Sequence, residues 1–265
     1  FSQEFAPTSI AAAEIQSMFL DSFLSDPVWL HRYARNAKGE PIPVELLREM
    51  KTESLRFGAR GLRRGMVVPF AEKAIYELKE NELTPERVLQ VVRETEHRLL
   101  GGDSAMPTLA IPHPWERDTS AYYHSYILAE LAVYQTRRFF MRKFGSIVDN
   151  PRLGRELTKF YWAPGNSLTF LEYVTNLTGE NFSADAAVSE LTHPISAAGR
   201  DVEEALELEA RTPHPAEPVN LNVNLIMEHG GQVITDNMNG KSFEQMAEEY
   251  AQWLQKQTEA KRLGK

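Results

Sequence analysis

The fold is decided by residues 119–144, which read TSAYYHSYILAELAVYQTRRFFMRKF. Their pattern and the turn residues that flank them predict one long helix from about Thr119 to Phe144. Tyr122 and Tyr126 are four residues apart, so their hydroxyls are expected to project from one face of that helix. By itself, such a stripe is more typical of a packed helix surface than of catalysis, because tyrosine buries well when its hydroxyl is hydrogen-bonded.

Helical patterns continue on both sides of this stretch. They predict helices over 9–23, 44–79 and 86–100, and shorter helices within 150–191. Residues 103–118 are rich in proline and contain large apolar side chains, so they are expected to form an ordered loop. The second helix is expected to bend or break at its internal glycines and proline, which are Gly58, Gly61, Gly65 and Pro69.

The C-terminal part reads differently from the rest. Three prolines mark a linker, at Pro213, Pro215 and Pro218. Residues 219–227 alternate like a strand, Gly230 and Gly231 predict a hairpin turn, and a capping box leads into a final helix. The sequence therefore predicts a mainly all-α fold with a small C-terminal β-hairpin plus helix. We expect two parts, a helical portion over 1–212 and an appendage over 213–265.

The composition limits the classes of function. The chain has 265 residues, of which 42% are apolar, so it can bury a substantial core. Its formal charge of -8, with acidic and basic residues mixed along the sequence, argues against a nucleic-acid-binding surface. No stretch is long and apolar enough to predict a membrane span. Because cysteine is absent, any metal site would use nitrogen and oxygen ligands.

Glu14 is an unusual carboxylate within the first predicted helix. Helical geometry places it on one stripe with Ile10 and Met18, and no basic residue lies within one turn of it. If the stripe is buried, the carboxylate needs a cation from elsewhere in the chain, because an unpaired buried carboxylate is too costly to keep ionised. The residues alone favour an exposed or frayed helix start, with metal ligation as the alternative.

Several stretches together resemble the thimet oligopeptidase, neurolysin and oligoendopeptidase F family of zinc peptidases. Residues 14–27, EIQSMFLDSFLSDP, are similar to the family's E-V-P-S-Q-M-L-E-N-W-x-W-E-P, and residues 39–43, GEPIP, to its G-E-P-[IL]-P. Gly165, Gly179 and residues 184–186 resemble its closing G-G-S…G-R…A-L-L pattern. The resemblance covers about Phe5 to Leu191 in order. It implies that Glu14 is the third ligand of a catalytic zinc ion.

A further stretch of the resemblance concerns His113 and the tyrosines that follow it. It is similar to the family's H-x-x-G-G-Y-x-x-x-Y-Y-x-Y, although the two glycines are missing and the spacing is one residue longer. The resemblance implies that His113 and Tyr126 contact substrate and stabilise a tetrahedral oxyanion. Tyr122 and Tyr123 are alternatives for a second hydroxyl, and His124 is either a neighbour of the site or a surface residue.

The H-E-x-x-H motif that supplies the other two zinc ligands in this family does not occur in the sequence. We therefore expect the C-terminal half of a zinc-dependent endopeptidase of short peptides, active only with an N-terminal segment or chain that carries H-E-x-x-H. The alternative is a non-catalytic helical subunit that binds peptides or a partner protein on the same scaffold. A soluble protein is expected, with cytoplasm and periplasm as alternatives.

Overall fold

The chain divides into two compact units, Phe1–His214 and Pro215–Lys265. The computed structural model describes residues 9–104, 108–212 and 222–262. The described helices of the first unit are α1 (Ile10–Asp21), α2 (Pro27–Tyr33), α3 (Val44–Tyr76), α4 (Pro85–Leu100), α5 (His124–Phe144), α6 (Pro151–Leu157), α7 (Phe170–Thr178), α8 (Asp185–Leu191) and α9 (Ala198–Arg211).

The second unit contains a β-hairpin and a helix. Strand β1 (Ile226–His229) pairs antiparallel with β2 (Gln232–Asp236), and α10 (Phe243–Arg262) follows. Gly230 and Gly231 form the turn with φ angles of +58° and +77°. Two positive φ angles match the twist of the flanking strands in a two-residue hairpin loop. The predicted fold class, mainly all-α with a small C-terminal hairpin plus helix, is confirmed.

The first strand is shorter than the sequence predicted. Residues 222–225 do not belong to a strand, and the side chain of Asn237 takes two of their backbone hydrogen bonds. It accepts from the N–H of Leu225 at 2.7 Å and donates to the carbonyl of Val223 at 2.7 Å. Residues 219–221 and the predicted linker prolines lie outside the described residues, the prolines being Pro213, Pro215 and Pro218.

Local signals at helix ends are confirmed. The Thr84 hydroxyl accepts a hydrogen bond from the N–H of Arg87 at 3.3 Å, and Gly101 ends α4 in the left-handed conformation with a φ of +80°. Ser242 and Gln245 form the predicted capping box before α10, with reciprocal bonds of 3.2 and 3.0 Å. Short side chains and glycine satisfy the backbone groups that a helix leaves unpaired at its ends.

The main core of the first unit is built around the packing of α1 against α5. Four alanines of this core, Ala11 and Ala12 in α1 and Ala129 and Ala132 in α5, are at most 3% exposed. Small side chains in the core of two packed helices allow their backbones to lie close together. This close packing brings the polar residues at the edge of α1 within reach of the segment that precedes α5.

Helix α3 runs from Val44 to Tyr76 with Pro69 inside it, so the alternative that it breaks at its glycines and proline is wrong. Two of the glycines instead permit close packing between helices. A Cβ atom on Gly58 would lie 2.7 Å from Leu191 of α8, and one on Gly65 would lie 2.9 Å from Ile127 of α5. No helix among the described residues is long and apolar enough to cross a membrane.

Shortening Phe140 is expected to destabilise the first unit strongly. Its side chain is fully buried, and its ring lies 5.8 Å from that of Phe19 and 5.9 Å from that of Phe144. Phe140→Ala should lower the free energy of unfolding by about 3–5 kcal/mol, because it removes apolar contacts and leaves a cavity. Urea unfolding followed by circular dichroism measures this change. Met141→Ala, at an exposed position of the same helix, should change it by less than about 0.5 kcal/mol, and equal effects would contradict this assignment of the core.

Candidate active site

The site loop, residues 108–123, leads into α5 and carries His113. The indole N–H of Trp115 donates to the carbonyl of Leu109 at 3.1 Å. The Thr119 hydroxyl donates to the carbonyl of His113 at 3.3 Å. These bonds fold the described part of the loop back on itself, as expected for an ordered loop. The expectation that its large apolar side chains are all buried is wrong for Trp115, which is 50% exposed.

Helix α5 begins at His124, later than predicted, so Tyr122 lies on the turn that precedes it. The prediction that Tyr122 and Tyr126 share one helical face is therefore wrong in its geometry. Ala121 has a φ of +55°, a left-handed conformation that cannot continue a right-handed helix. Its N–H donates to the side chain of Glu72 in α3 at 2.6 Å, a long-range bond that the local pattern does not reveal.

Glu14 of α1 is partly buried and is held by two hydroxyls. The Tyr122 hydroxyl donates to Glu14 Oε1, and the Ser17 hydroxyl lies 3.2 Å from Glu14 Oε2. No lysine or arginine among the described residues forms an ion pair with this carboxylate. Two neutral donors therefore stabilise Glu14 where the sequence led us to expect a cation.

Four aromatic rings form a cluster at the same place. The ring centroid of His113 lies 5.2 Å from that of Tyr123, 5.8 Å from that of Tyr122 and 5.9 Å from that of Tyr126. The Tyr126 centroid is 5.3 Å from those of Tyr122 and Tyr123. Through the bond from Tyr122, the cluster meets Glu14, which is 108 residues away in the sequence. The structure thus brings together all five residues that the sequence singled out.

The two histidines near the cluster differ in their surroundings. The Nδ1 atom of His113 is buried and has no hydrogen-bond partner among the described residues. Leaving a buried polar atom unpaired costs free energy, so such an atom calls for an explanation such as a ligand or a catalytic role. His124 is exposed, and its ring has no contact with the cluster within the described part of the chain.

The tyrosine hydroxyls are held in their protonated form. The hydrogen bond to Glu14, with burial and the carboxylate charge, raises the pKa of Tyr122 well above its ordinary value. Burial, followed by the charge of Glu14, raises the pKa of Tyr126 as well. Both residues are therefore hydrogen-bond donors over the whole range of neutral pH.

The described residues do not by themselves form a complete metal site. Among them, no group of three or more His, Cys, Asp or Glu side chains is placed to hold a metal ion. A catalytic zinc site usually takes three protein ligands of the imidazole, carboxylate or thiolate type. Glu14 is an anionic oxygen donor without a competing cation, which suits it to one such position.

The sequence did not lead us to single out two buried carboxylates that contact the site loop or the residues just before it. Glu72 of α3 is 4% exposed and Glu96 of α4 is 5% exposed. Both contact the loop or the residues just before it. A signal was present, because Glu72 lies one turn from Val68 and Ile75 on the apolar side of its helix.

Removing the charge of Glu14 is expected to lower the pKa of Tyr122. In the Glu14→Gln variant the amide can still accept a hydrogen bond but no longer penalises a phenolate, so the pKa should fall toward the ordinary value near 10. An NMR titration of chain labelled with ¹³C at the tyrosine Cζ atoms measures this. Ser17→Ala, which leaves the Glu14 charge in place, is the control and should keep the pKa high. A wild-type Tyr122 that titrates like an exposed tyrosine would contradict the geometry.

Comparison with known proteins identifies the family. A family model described as Peptidase family M3 matches residues 2–193, which is well over half of the chain. No curated protein and no solved structure gives a significant match. The matched range contains Glu14 and the whole aromatic cluster, and it confirms the resemblance to the thimet oligopeptidase, neurolysin and oligoendopeptidase family. A metallopeptidase-type function is supported in general terms. The chain belongs to peptidase family M3.

Proposed function

We propose that the chain supplies part of the active site of a zinc-dependent endopeptidase that cleaves short peptides. In this proposal Glu14 is one zinc ligand, and the hydroxyl of Tyr126, with His113, stabilises the oxyanion. The observation that carries the proposal is that Glu14 meets the His113 and tyrosine cluster through Tyr122, which lies 108 residues away in the sequence. The proposal also rests on membership of a peptidase family.

The other zinc ligands would come from a segment or separate chain that carries H-E-x-x-H. Two imidazoles one helical turn apart, together with Glu14, would complete a three-ligand site, and the glutamate of the motif would serve as general base. Zinc bound there would polarise the substrate carbonyl and acidify a water molecule. The sequence contains no such motif, and within the described residues Glu14 belongs to no group of three or more metal-binding side chains.

The residues of this chain would act mainly by orienting and by donating hydrogen bonds. The Tyr122 hydroxyl is engaged with the Glu14 carboxylate, so it orients that carboxylate. Tyr126 is four residues farther along the chain and remains protonated at neutral pH. Its hydroxyl would therefore be the main donor to an oxyanion, with Tyr122 and Tyr123 as the alternatives. Such a bond lowers the barrier because it strengthens as negative charge develops.

His113 would contribute a second contact to substrate. Its Nδ1 atom is buried without a partner among the described residues, and its ring lies against all three tyrosines. A peptide carbonyl or amide placed there would satisfy this atom. The aromatic cluster would also exclude water from one side of the reacting bond, which strengthens hydrogen bonds in the site.

A second candidate function is a non-catalytic subunit that binds peptides or a partner protein. The absence of H-E-x-x-H from the sequence favours it, because the described residues alone form no metal site. The same aromatic cluster would then hold a peptide without cleaving it. The two functions differ in whether zinc and an H-E-x-x-H polypeptide accompany the chain.

Zinc content tests the proposal. The chain purified from its native source should carry zinc together with a polypeptide that contains H-E-x-x-H, measured by elemental analysis and intact mass. In that assembly Glu14→Gln should weaken zinc binding by more than the roughly 10–100-fold that loss of an outer-shell partner costs. Glu130→Gln, which changes a partly buried carboxylate of α5, is the control and should bind zinc normally. Native material that holds neither zinc nor such a polypeptide would favour the non-catalytic function.

Tyr126→Phe is expected to lower turnover far more than substrate binding. Loss of one oxyanion donor typically lowers kcat by about 10²–10³-fold, and KM should change little if the bond forms mainly in the transition state. Steady-state kinetics on a short fluorogenic peptide measures both constants in the assembled peptidase. The control is Tyr134→Phe, two turns farther along α5 and outside the cluster. An unchanged kcat in Tyr126→Phe would remove Tyr126 from the mechanism.

A further inference from the structure

Glu72 is a buried carboxylate that contacts the site loop from α3. It is 4% exposed, and its Oε1 atom accepts the N–H of Ala121 at 2.6 Å and the hydroxyl of Tyr76 at 3.0 Å. No lysine or arginine pairs with it within the part of the chain that the structure describes. A buried carboxylate is costly unless its hydrogen bonds are made. The two donors therefore stabilise Glu72, and Glu72 in turn fixes their positions.

The first donor belongs to a residue in an unfavourable backbone conformation. Ala121 has a φ of +55°, where its Cβ atom is crowded in a way that glycine would avoid. Such a conformation persists only when its surroundings hold it in place. The bond from the Ala121 N–H to Glu72 does so, and the next residue is Tyr122, whose hydroxyl donates to Glu14.

The second donor links Glu72 to the other side of the loop. The Tyr76 hydroxyl lies 3.0 Å from Glu72 Oε1 and 3.3 Å from the carbonyl oxygen of Pro114. Pro114 is buried and directly follows His113, so this hydroxyl, whose one proton is shared between the two acceptors, lies against the backbone next to the histidine. One carboxylate thus reaches the two points of the loop from which the catalytic candidates His113 and Tyr122 extend.

We propose that Glu72 is a positioning residue that holds the site loop so that Tyr122 meets Glu14 and His113 lies among the tyrosine rings. Glu72 has no bond to Tyr122, His113 or Glu14 and acts through Ala121 and Tyr76. The proposed effect of Glu72 on loop geometry does not depend on the peptidase function. The effect on turnover rests on the proposed peptidase function.

Glu96 provides a matched control. It is 5% exposed and lies on α4, and its carboxylate accepts from the N–H of Ser104 at 3.2 Å and from the hydroxyl of Thr108. It therefore holds the beginning of the loop, away from Ala121. Loss of either carboxylate removes a buried acceptor, so both are expected to lower stability. Only Glu72 is expected to control the turn before Tyr122.

NMR spectra of the full chain test the geometry. Glu72→Met keeps an unbranched side chain of similar length but has no strong acceptor, so the Ala121 amide proton should move upfield and exchange faster, and the ring resonances of Tyr122 should shift. Glu96→Met should leave the Ala121 amide signal and the Tyr122 ring resonances unchanged. Glu72→Gln keeps the Oε1 acceptor without its charge and should give a smaller shift in the same direction. If Glu72→Met does not fold, the Glu72→Gln spectra alone test the positioning role.

A second substitution tests whether Glu72 acts by holding residue 121 in its strained backbone conformation. Glycine adopts a positive φ without crowding, so Ala121→Gly should partly restore the Tyr122 resonances in the Glu72→Met background. In the assembled peptidase, Glu72→Met should lower kcat about 10–100-fold with little change in KM, and Ala121→Gly should recover part of the loss. Glu96→Met should leave kcat near the wild-type value.

The two kinds of measurement separate failure of this proposal from failure of the peptidase function. Unchanged Ala121 and Tyr122 signals in Glu72→Met and in Glu72→Gln would overturn the positioning role, as would equal shifts in Glu96→Met. An assembly without peptidase activity would remove the proposed function, while the NMR shifts would still establish that Glu72 positions the loop.

Discussion

The hydrogen bond from Tyr122 to Glu14 is the constraint on which the candidate site depends. It joins α1 to the turn before α5, two elements that the alanine-rich part of the core already holds close together. If larger side chains replaced Ala12 or Ala129, the helices would separate and the carboxylate would lose its donor. The packing of the core therefore determines the chemistry of the site, since a hydrogen bond tolerates only a few tenths of an ångström.

Much of the fold follows from local sequence signals. Thr84 and Gly101 mark the ends of α4, and Gly230 with Gly231 fixes the hairpin, because each residue acts on backbone groups within a few positions. Helix α9 was not predicted, although a signal was present, since Ala198, Val202 and Ala205 recur at the spacing of one helical face. Contacts elsewhere in the unit add to this amphipathic pattern in stabilising the helix.

The candidate site was predictable in its members but not in its geometry. The resemblance identified Glu14 and the residues of the cluster, yet helical periodicity placed Tyr122 within α5. The error arises at Ala121, because alanine is the best helix former and nothing nearby in the sequence indicates a positive φ. The cause is a buried acceptor, Glu72, 49 residues earlier in the chain, and a contact of that range has no local pattern.

The partners of Glu14 explain how a carboxylate that we propose as a zinc ligand can exist partly buried without a cation. A carboxylate paired with lysine or arginine would already be neutralised, and a metal ion would have to displace that partner. Here the hydroxyls of Ser17 and Tyr122 satisfy the oxygens while leaving the negative charge in place. The chain can therefore hold this geometry before any metal binds, in contrast to small zinc domains whose folding requires the ion. If the ligands of the proposed zinc site come from separate segments, a preformed and still charged Glu14 favours assembly. Fewer side chains then have to be ordered when the segments meet, so the entropy cost of binding is smaller.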